Sequence, residues 1–301
     1  IYLSVLHKKA LRFCTPYITI KKAKAKRFFA GQMLPANTKE KGGALMLLAV
    51  NVSNSQILLG GYDGSRLVFC ARVHADRAWT ADEYAVQFSR VLSLYGCEAA
   101  GIKGIIFSCV VPALAETVRR ALAMLYRGRI YTVGPGLKTG LQMHMDDPAQ
   151  LGGELVCCAV AARALGPLPC VAVLMDTAIS MVALDKNGVL CGGAILPGVR
   201  TGYDALCERT AQLTQIELRA PACGVLGTNS VACMQAGAVF GTASMLDGML
   251  ERVSLALNGE AACVATGAFA PVALPHCRHA VRYEEHLVLD GLRLLYEKNA
   301  R

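Results

Sequence analysis

No stretch of about 20 consecutive apolar residues, the length a membrane-spanning helix requires, occurs in this 301-residue chain, although 54% of it is hydrophobic. Uncharged stretches such as 44–62 and 167–175 are broken by glycine, proline or polar turns, so no transmembrane helix is expected. Thirteen cysteines are present, yet no two stand at CxxC spacing and none groups with histidine as zinc ligands do. Cys157 and Cys158 are adjacent and poorly placed to bridge each other. Cys109, Cys170, Cys191 and Cys263 sit in apolar runs, where a free thiol behaves as a small hydrophobe. A reducing cytoplasmic home is the expectation. A GxxxxGK[ST] phosphate loop is also missing, since Lys138 in Gly136-Leu137-Lys138-Thr139-Gly140 belongs to no such motif.

Acidic residues are almost absent from the first 44 positions, where ten lysines and arginines face only Glu40. That segment carries all of the net charge of +9, because the remaining 21 basic residues are matched by 21 acidic ones. A balanced body gives no reason to expect nucleic acid there, and such a partner enters only through the basic arm. Residues 1–45 are expected to be an extension outside the native protein, with Met46 as the start. A functional basic tail and a targeting peptide are the other readings.

What the chain does contain is a strand–turn–strand unit that occurs twice. The first copy runs from Ala49 through Asn51-Val52-Ser53-Asn54-Ser55 to Leu59 and a turn at 61–64. The second runs from Val173 through Asp176-Thr177-Ala178 to Leu184 and a turn at 185–188. The copies lie about 120 residues apart, roughly one domain length. Polar hairpin turns repeated once per domain suit the two halves of a nucleotide clamp, because turn N–H groups and hydroxyls can approach phosphates closely.

Between and after these units, strands and helices alternate. Helices are expected at 80–94, with Thr80 as N-cap, and at 113–125, 151–165, 201–212, 230–258 and 285–297. Further strands are expected at 104–111, 129–133 and 262–266, and a loop at Gly192–Gly198. The pattern is α/β, and the repeat favours two ribonuclease-H-like domains in tandem, 46–165 and 166–301.

The order and spacing of several short motifs carry a resemblance. They are Asn51-Val52-Ser53-Asn54-Ser55, Ser108-Cys109-Val110-Val111-Pro112, Gly136–Gly140, Asp147-Pro148 before Gly152-Gly153-Glu154, Gly192–Gly198, Gly227-Thr228-Asn229-Ser230, Ala265-Thr266-Gly267 and Leu289-Asp290-Gly291-Leu292. From Met46 onward the chain resembles the type III pantothenate kinases of the acetate-and-sugar-kinase/actin-like superfamily. The resemblance implies transfer of a phosphoryl group from ATP to pantothenate, giving 4'-phosphopantothenate on the route to coenzyme A. It also implies magnesium, a monovalent cation (potassium or ammonium) and a homodimer.

Carried over by position, the resemblance makes Glu154 the catalytic base, in a Gly152-Gly153-Glu154-Leu155 segment where the family has Gly-Ala-Asp-Arg. Asn51, Ser53, Asn54 and Ser55 take the place of the family's first phosphate loop, with Asn51 where the family has Asp. Asp176 and Thr177 fall in the second loop, and Leu174 stands where an Asp would hold the monovalent cation. Met145, Gly152, Gly153, Leu155 and Thr210 fall at pantothenate-side positions. The altered charges at Asn51, Leu155 and Leu174 leave a second reading open, a non-catalytic relative that binds a ligand or regulates. Asn51 and Asn54 also suit a tight turn, and Glu154 a helix's first turn, without any catalytic role.

Overall fold

The computed structural model describes residues 46–300. The expectations for residues 1–45 lie outside the described residues. The first sheet opens with apolar runs paired by tight turns: β1 (Met46–Val52), β2 (Gln56–Asp63) and β3 (Arg66–His74). Helix α1 (Ala81–Leu94) follows, with the Thr80 hydroxyl accepting from the Glu83 N–H and the Glu83 carboxylate accepting from the Thr80 N–H, a reciprocal cap. Then come β4 (Ile102–Cys109), α2 (Pro112–Leu125), β5 (Ile130–Thr132) and α3 (Gly153–Leu165). Pro112 starts α2 because its fixed φ and missing N–H are harmless in a first turn.

The second half repeats the scheme with β6 (Cys170–Met175), β7 (Ala178–Leu184), β8 (Leu190–Pro197) and α4 (Val199–Glu208). It continues with α5 (Ser230–Ala236), a π-helical turn at Gly237–Gly241, α6 (Thr242–Ala256), β9 (Ala262–Thr266), α7 (Ala270–Ala273), β10 (Val281–Tyr283) and α8 (Leu287–Asn299).

The sheets have the orders β3-β2-β1-β4-β5 and β10-β9-β6-β7-β8. In each, three antiparallel strands are followed by two parallel ones, so β6 to β10 stand where β1 to β5 stand. This is the ribonuclease-H-like arrangement, present twice. Side chains alternate between faces along each strand. Leu48, Val50 and Val52 face α1 and α2 with Tyr84, Phe88, Val118 and Leu122. Ala49 and Ile106 face the other way, onto α3 and α8. In the second sheet Val171, Val173 and Met175 meet Leu246 and Leu250 of α6, while Cys170 and Ala172 face α3 and α8. Two helices thus form a layer between the sheets. Their backbones nearly touch, because a Cβ at Gly291 of α8 would stand 2.1 Å from the Cys157 carbonyl of α3.

Several expectations need correction. The segment 192–197 is not a loop but most of strand β8, paired with β7 from Ala178↔Pro197 to Leu184↔Leu190, and Gly198 caps the start of α4. A Cβ at Gly193 would lie 2.1 Å from the Met181 carbonyl, so glycine there serves strand packing. The helix expected at 201–212 runs Val199–Glu208, and the 230–258 helix is divided by the π-helical turn. Strands β3 and β10 had no counterpart in the sequence reading. Cys191 is exposed instead of buried in an apolar run.

Candidate active site

Strand alternation points Asn51, near the carboxyl end of β1, toward the central helices, and the register places it beside Ser108 of β4. Helix α3 begins at this spot. Its first turn carries Glu154, whose Oε1 accepts a hydrogen bond of 2.7 Å from Asn51 Nδ2. A side chain at Gly153 could not coexist with this arrangement, since a Cβ would lie 2.6 Å from Ser108 Oγ. Two buried oxygens remain unpartnered at the junction, Asn51 Oδ1 and Ser108 Oγ. Buried polar atoms are nearly always hydrogen-bonded, so such a pair marks a place shaped for something more than packing.

Burial is the main reason the Glu154 carboxyl is pushed up to about 7. The bond from Asn51 opposes the rise and the nearby Asp176 carboxylate adds to it. Asp176 is itself raised, first by desolvation, while the positive charge of Arg72 and the Thr177 N–H pull it back. A carboxyl poised near neutral pH where two strands end beside a helix start is the environment expected of a general base.

The two hairpin turns are built differently. In the first, Ser53 N–H and Ser53 Oγ both donate to the Gln56 carbonyl at 2.9 Å, so the Ser53 hydroxyl is spent on the turn. Asn54 and Ser55 stand exposed at its tip. In the second, the Asp176 N–H donates to the Ala178 carbonyl, and Asp176 and Thr177 are exposed. The start of α4 clamps this turn: the Gly198 N–H and the Thr201 hydroxyl both donate to the Thr177 carbonyl. Gly198 has no room for a Cβ, which would meet the Asp176 carbonyl at 2.1 Å. Gly267, at φ +107, lies equally close to the Met175 carbonyl from the end of β9.

Other residues singled out from the sequence lie elsewhere. Leu155 is only 9% exposed and packs in the core between the sheets. Leu174, at the position in β6 that Asn51 occupies in β1, packs against the same core. Met145 is partly buried there too. Thr210 donates its hydroxyl to the Leu206 carbonyl beyond the end of α4, and the structure does not bring it to Glu154. The sequence reading missed Ser108 as a site residue, although it had noted the Ser108–Pro112 motif. It also missed Arg72, which nothing but strand register connects to the turns.

Among the described residues, no group of three or more His, Cys, Asp or Glu side chains could hold a metal ion. No helix among them is long and apolar enough to cross a membrane. All cysteines among them are free.

Comparison with known proteins bears on the family and the fold. The family model described as type III pantothenate kinase matches residues 47–252. A type III pantothenate kinase of Moorella thermoacetica is 35% identical over 254 residues, covering 84% of this chain and 100% of the relative. One from Geotalea daltonii is 34% identical over 254 residues, covering 84% and 99%. Among solved structures, a Campylobacter jejuni protein described as a Baf family transcriptional activator superposes with a TM-score of 0.51 at 16% identity. That match covers 84% of this chain and 98% of the other. A Sinorhizobium meliloti protein described as a 2-dehydro-3-deoxygalactonokinase gives a TM-score of 0.51 at 13% identity, covering 84% and 96%. These two likenesses bear on the fold, whereas the sequence matches bear on the family. The chain belongs to the type III pantothenate kinase family.

Proposed function

We propose that this protein transfers the γ-phosphoryl group of ATP to the terminal hydroxyl of pantothenate, with Glu154 as the general base. The observation that carries this reading is the position and protonation of Glu154. It sits in the first turn of α3, is held by Asn51 of the first hairpin, faces Asp176 of the second, and has an affinity for protons matched to neutral pH. A base at about 7 is half ionised under physiological conditions and keeps enough basicity to accept the hydroxyl proton. The exposed tips, Asn54-Ser55 and Asp176-Thr177, supply hydroxyls, an amide and backbone N–H groups toward the phosphates.

The residues present fit a magnesium ion that arrives with the nucleotide. Magnesium typically takes one or two carboxylates and completes its shell with phosphate and water oxygens. Here Asp176 and the unpartnered Asn51 Oδ1 would hold it. Magnesium, when bound, neutralises charge on the transferring phosphate oxygens. A monovalent cation does not fit at Leu174, whose side chain offers no oxygen and packs in the core. We extend the proposal to a homodimer acting in the cytoplasm, built from halves 46–165 and 166–301.

A second reading, a ligand-binding relative that no longer turns over, is favoured by Asn51 itself. Its amide donates to Glu154 where a carboxylate would have drawn metal. A coupled ADP-release assay with ATP, magnesium, potassium and pantothenate separates the two. Pantothenate-dependent turnover that rises with pH through about 7 and disappears in Glu154→Ala supports the kinase. Pantothenate binding without turnover supports the second reading.

A further inference from the structure

Strand registers set four residues in one row across the first sheet: Arg72 opposite Leu58, Leu58 opposite Asn51, and Asn51 opposite Ser108. Directly opposed residues project on the same face. Arg72, Asn51 and Ser108 therefore share the face onto which α3 brings Glu154. With strands about 4.8 Å apart, the Arg72 backbone lies about 10 Å from that of Asn51, a distance a long side chain and a polyphosphate can close together. The end of β3 also abuts the first hairpin, since His74 pairs with Gln56 and the Ala75 N–H donates to the Ser55 carbonyl at 3.1 Å. On the opposite side, the charge of Arg72 acts on Asp176 of the second hairpin. Arg72 thus sits beside the first hairpin and within electrostatic reach of the second.

Its present engagement is slight. Among the described residues Arg72 makes one ion pair, Nη2 to Glu285 Oε1 at 3.2 Å, with both side chains about half exposed (51% and 50%). Exposed pairs of this kind contribute little, and a guanidinium has five N–H donors to offer. The cleft needs a cation. Glu154 and Asp176 are both acids, and the Arg that the family places after its base is here Leu155, turned into the core. A polyphosphate between two carboxylates is repelled unless a positive charge is within reach.

We propose that Arg72 is an anion-binding residue of this cleft, released from Glu285 to take a phosphate oxygen of the bound nucleotide. The inference rests on the phosphoryl-transfer reading above. The competing role for Arg72 is a tie between β3 and the segment after β10, through the same Glu285 contact.

The test is calorimetric titration of the full chain with magnesium–ATP and, separately, with inorganic tripolyphosphate, on wild type, Arg72→Gln, Arg72→Lys and Glu285→Gln. Arg72→Gln should weaken both ligands about ten-fold or more, the effect of removing one charge-assisted contact. Arg72→Lys should restore part of the loss, and Glu285→Gln, which frees the guanidinium, should leave affinity unchanged or raised. If Arg72 is only a tie, Arg72→Gln and Glu285→Gln weaken binding alike, and the inference falls. Unchanged affinity in Arg72→Gln also overturns it while leaving the kinase reading intact. Tripolyphosphate bound through Arg72 without ATP binding overturns the inference as stated, leaving Arg72 an anion site unconnected with nucleotide. Binding of neither ligand by the wild type removes both. Should Arg72→Gln fail to fold, a several-fold loss in Arg72→Lys with no loss in Glu285→Gln carries the same decision, and equal losses in the two overturn the inference.

Discussion

Glu154→Gln isolates the cost of holding a titratable carboxyl in a buried site. Glutamine keeps an Oε1 acceptor for the Asn51 amide, so the 2.7 Å hydrogen bond survives and only the ionisation is lost. In the folded wild type the carboxyl titrates at about 7 against its ordinary 4.5, chiefly because burial penalises the charge. Between those two pH values the unfolded chain has released the proton and the folded protein still holds it. Stability must therefore fall as pH rises through this window and level off above 7. At about 1.4 kcal/mol for each pH unit, the ionised wild type carries a penalty of ~3 kcal/mol that Glu154→Gln lacks. For a protein of this size each kcal/mol moves the thermal midpoint by about 2–4 °C, so the variant should melt ~6–12 °C higher above pH 7 and no higher near pH 4.5. Thermal unfolding of both proteins across this range reads the difference directly, and the same variant should show no pantothenate-dependent turnover. Parallel midpoint curves would refute the reasoning, because they would mean that Glu154 titrates as an ordinary exposed carboxyl.

Three further outcomes follow from particular contacts. Leu155→Arg, which restores the family's residue by position, should destabilise by about 3 kcal/mol or more, since it forces a guanidinium into an apolar core; a urea midpoint equal to wild type would contradict the placement of Leu155. Asn51→Asp sets a second carboxylate beside Glu154, a repulsion of ~4 kcal/mol at about 4 Å and an effective dielectric near 20. The rise of turnover with pH should move to higher pH at low magnesium and return at high magnesium, and insensitivity to magnesium would count against the shared site. Asp247, 2% exposed, accepts from the His279 and Arg278 N–H groups, from His279 Nδ1 and from Arg278 Nε. Burial opposes its ionisation, but those donors hold its carboxyl below the usual range. Its contribution is thus present at neutral pH and lost as pH falls below the ordinary carboxylate range through its lowered folded value, so Asp247→Asn should cost about 2 kcal/mol at pH 7 and progressively less as the pH is taken below that range.

How much of this was legible in the sequence depends on whether a signal was local. The doubled hairpins, the Thr80 cap and the apolar helix carrying Glu154 follow from patterning and turn chemistry within a few residues, and all appear in the fold. Strand β8 was misread because Gly192, Gly193 and Pro197 look like loop punctuation. At an edge of the sheet, proline is tolerated, and close approach to Met181 requires glycine. Leu155 follows Glu154 in sequence, yet one step around a helix turns it by about 100° and sends it to the core. Ser108 and Arg72 join Asn51 only through pairing between strands distant in the chain, which no local pattern encodes.

Helix α8 carries one last implication. Residues 287–299 belong late in the chain, yet Leu289, Leu292 and Leu295 fill the same core as Ala49, Tyr62 and Ile106 from the first sheet, and Asp290 accepts a hydrogen bond from the Tyr62 hydroxyl at 2.9 Å. During synthesis the first sheet emerges with one face already covered by α1 and α2 and the other only partly covered, by α3, until α8 arrives. The amino-terminal half therefore does not complete its core until residues 287–299 have left the ribosome, and the face they cover is the part in need of chaperone protection in the interval.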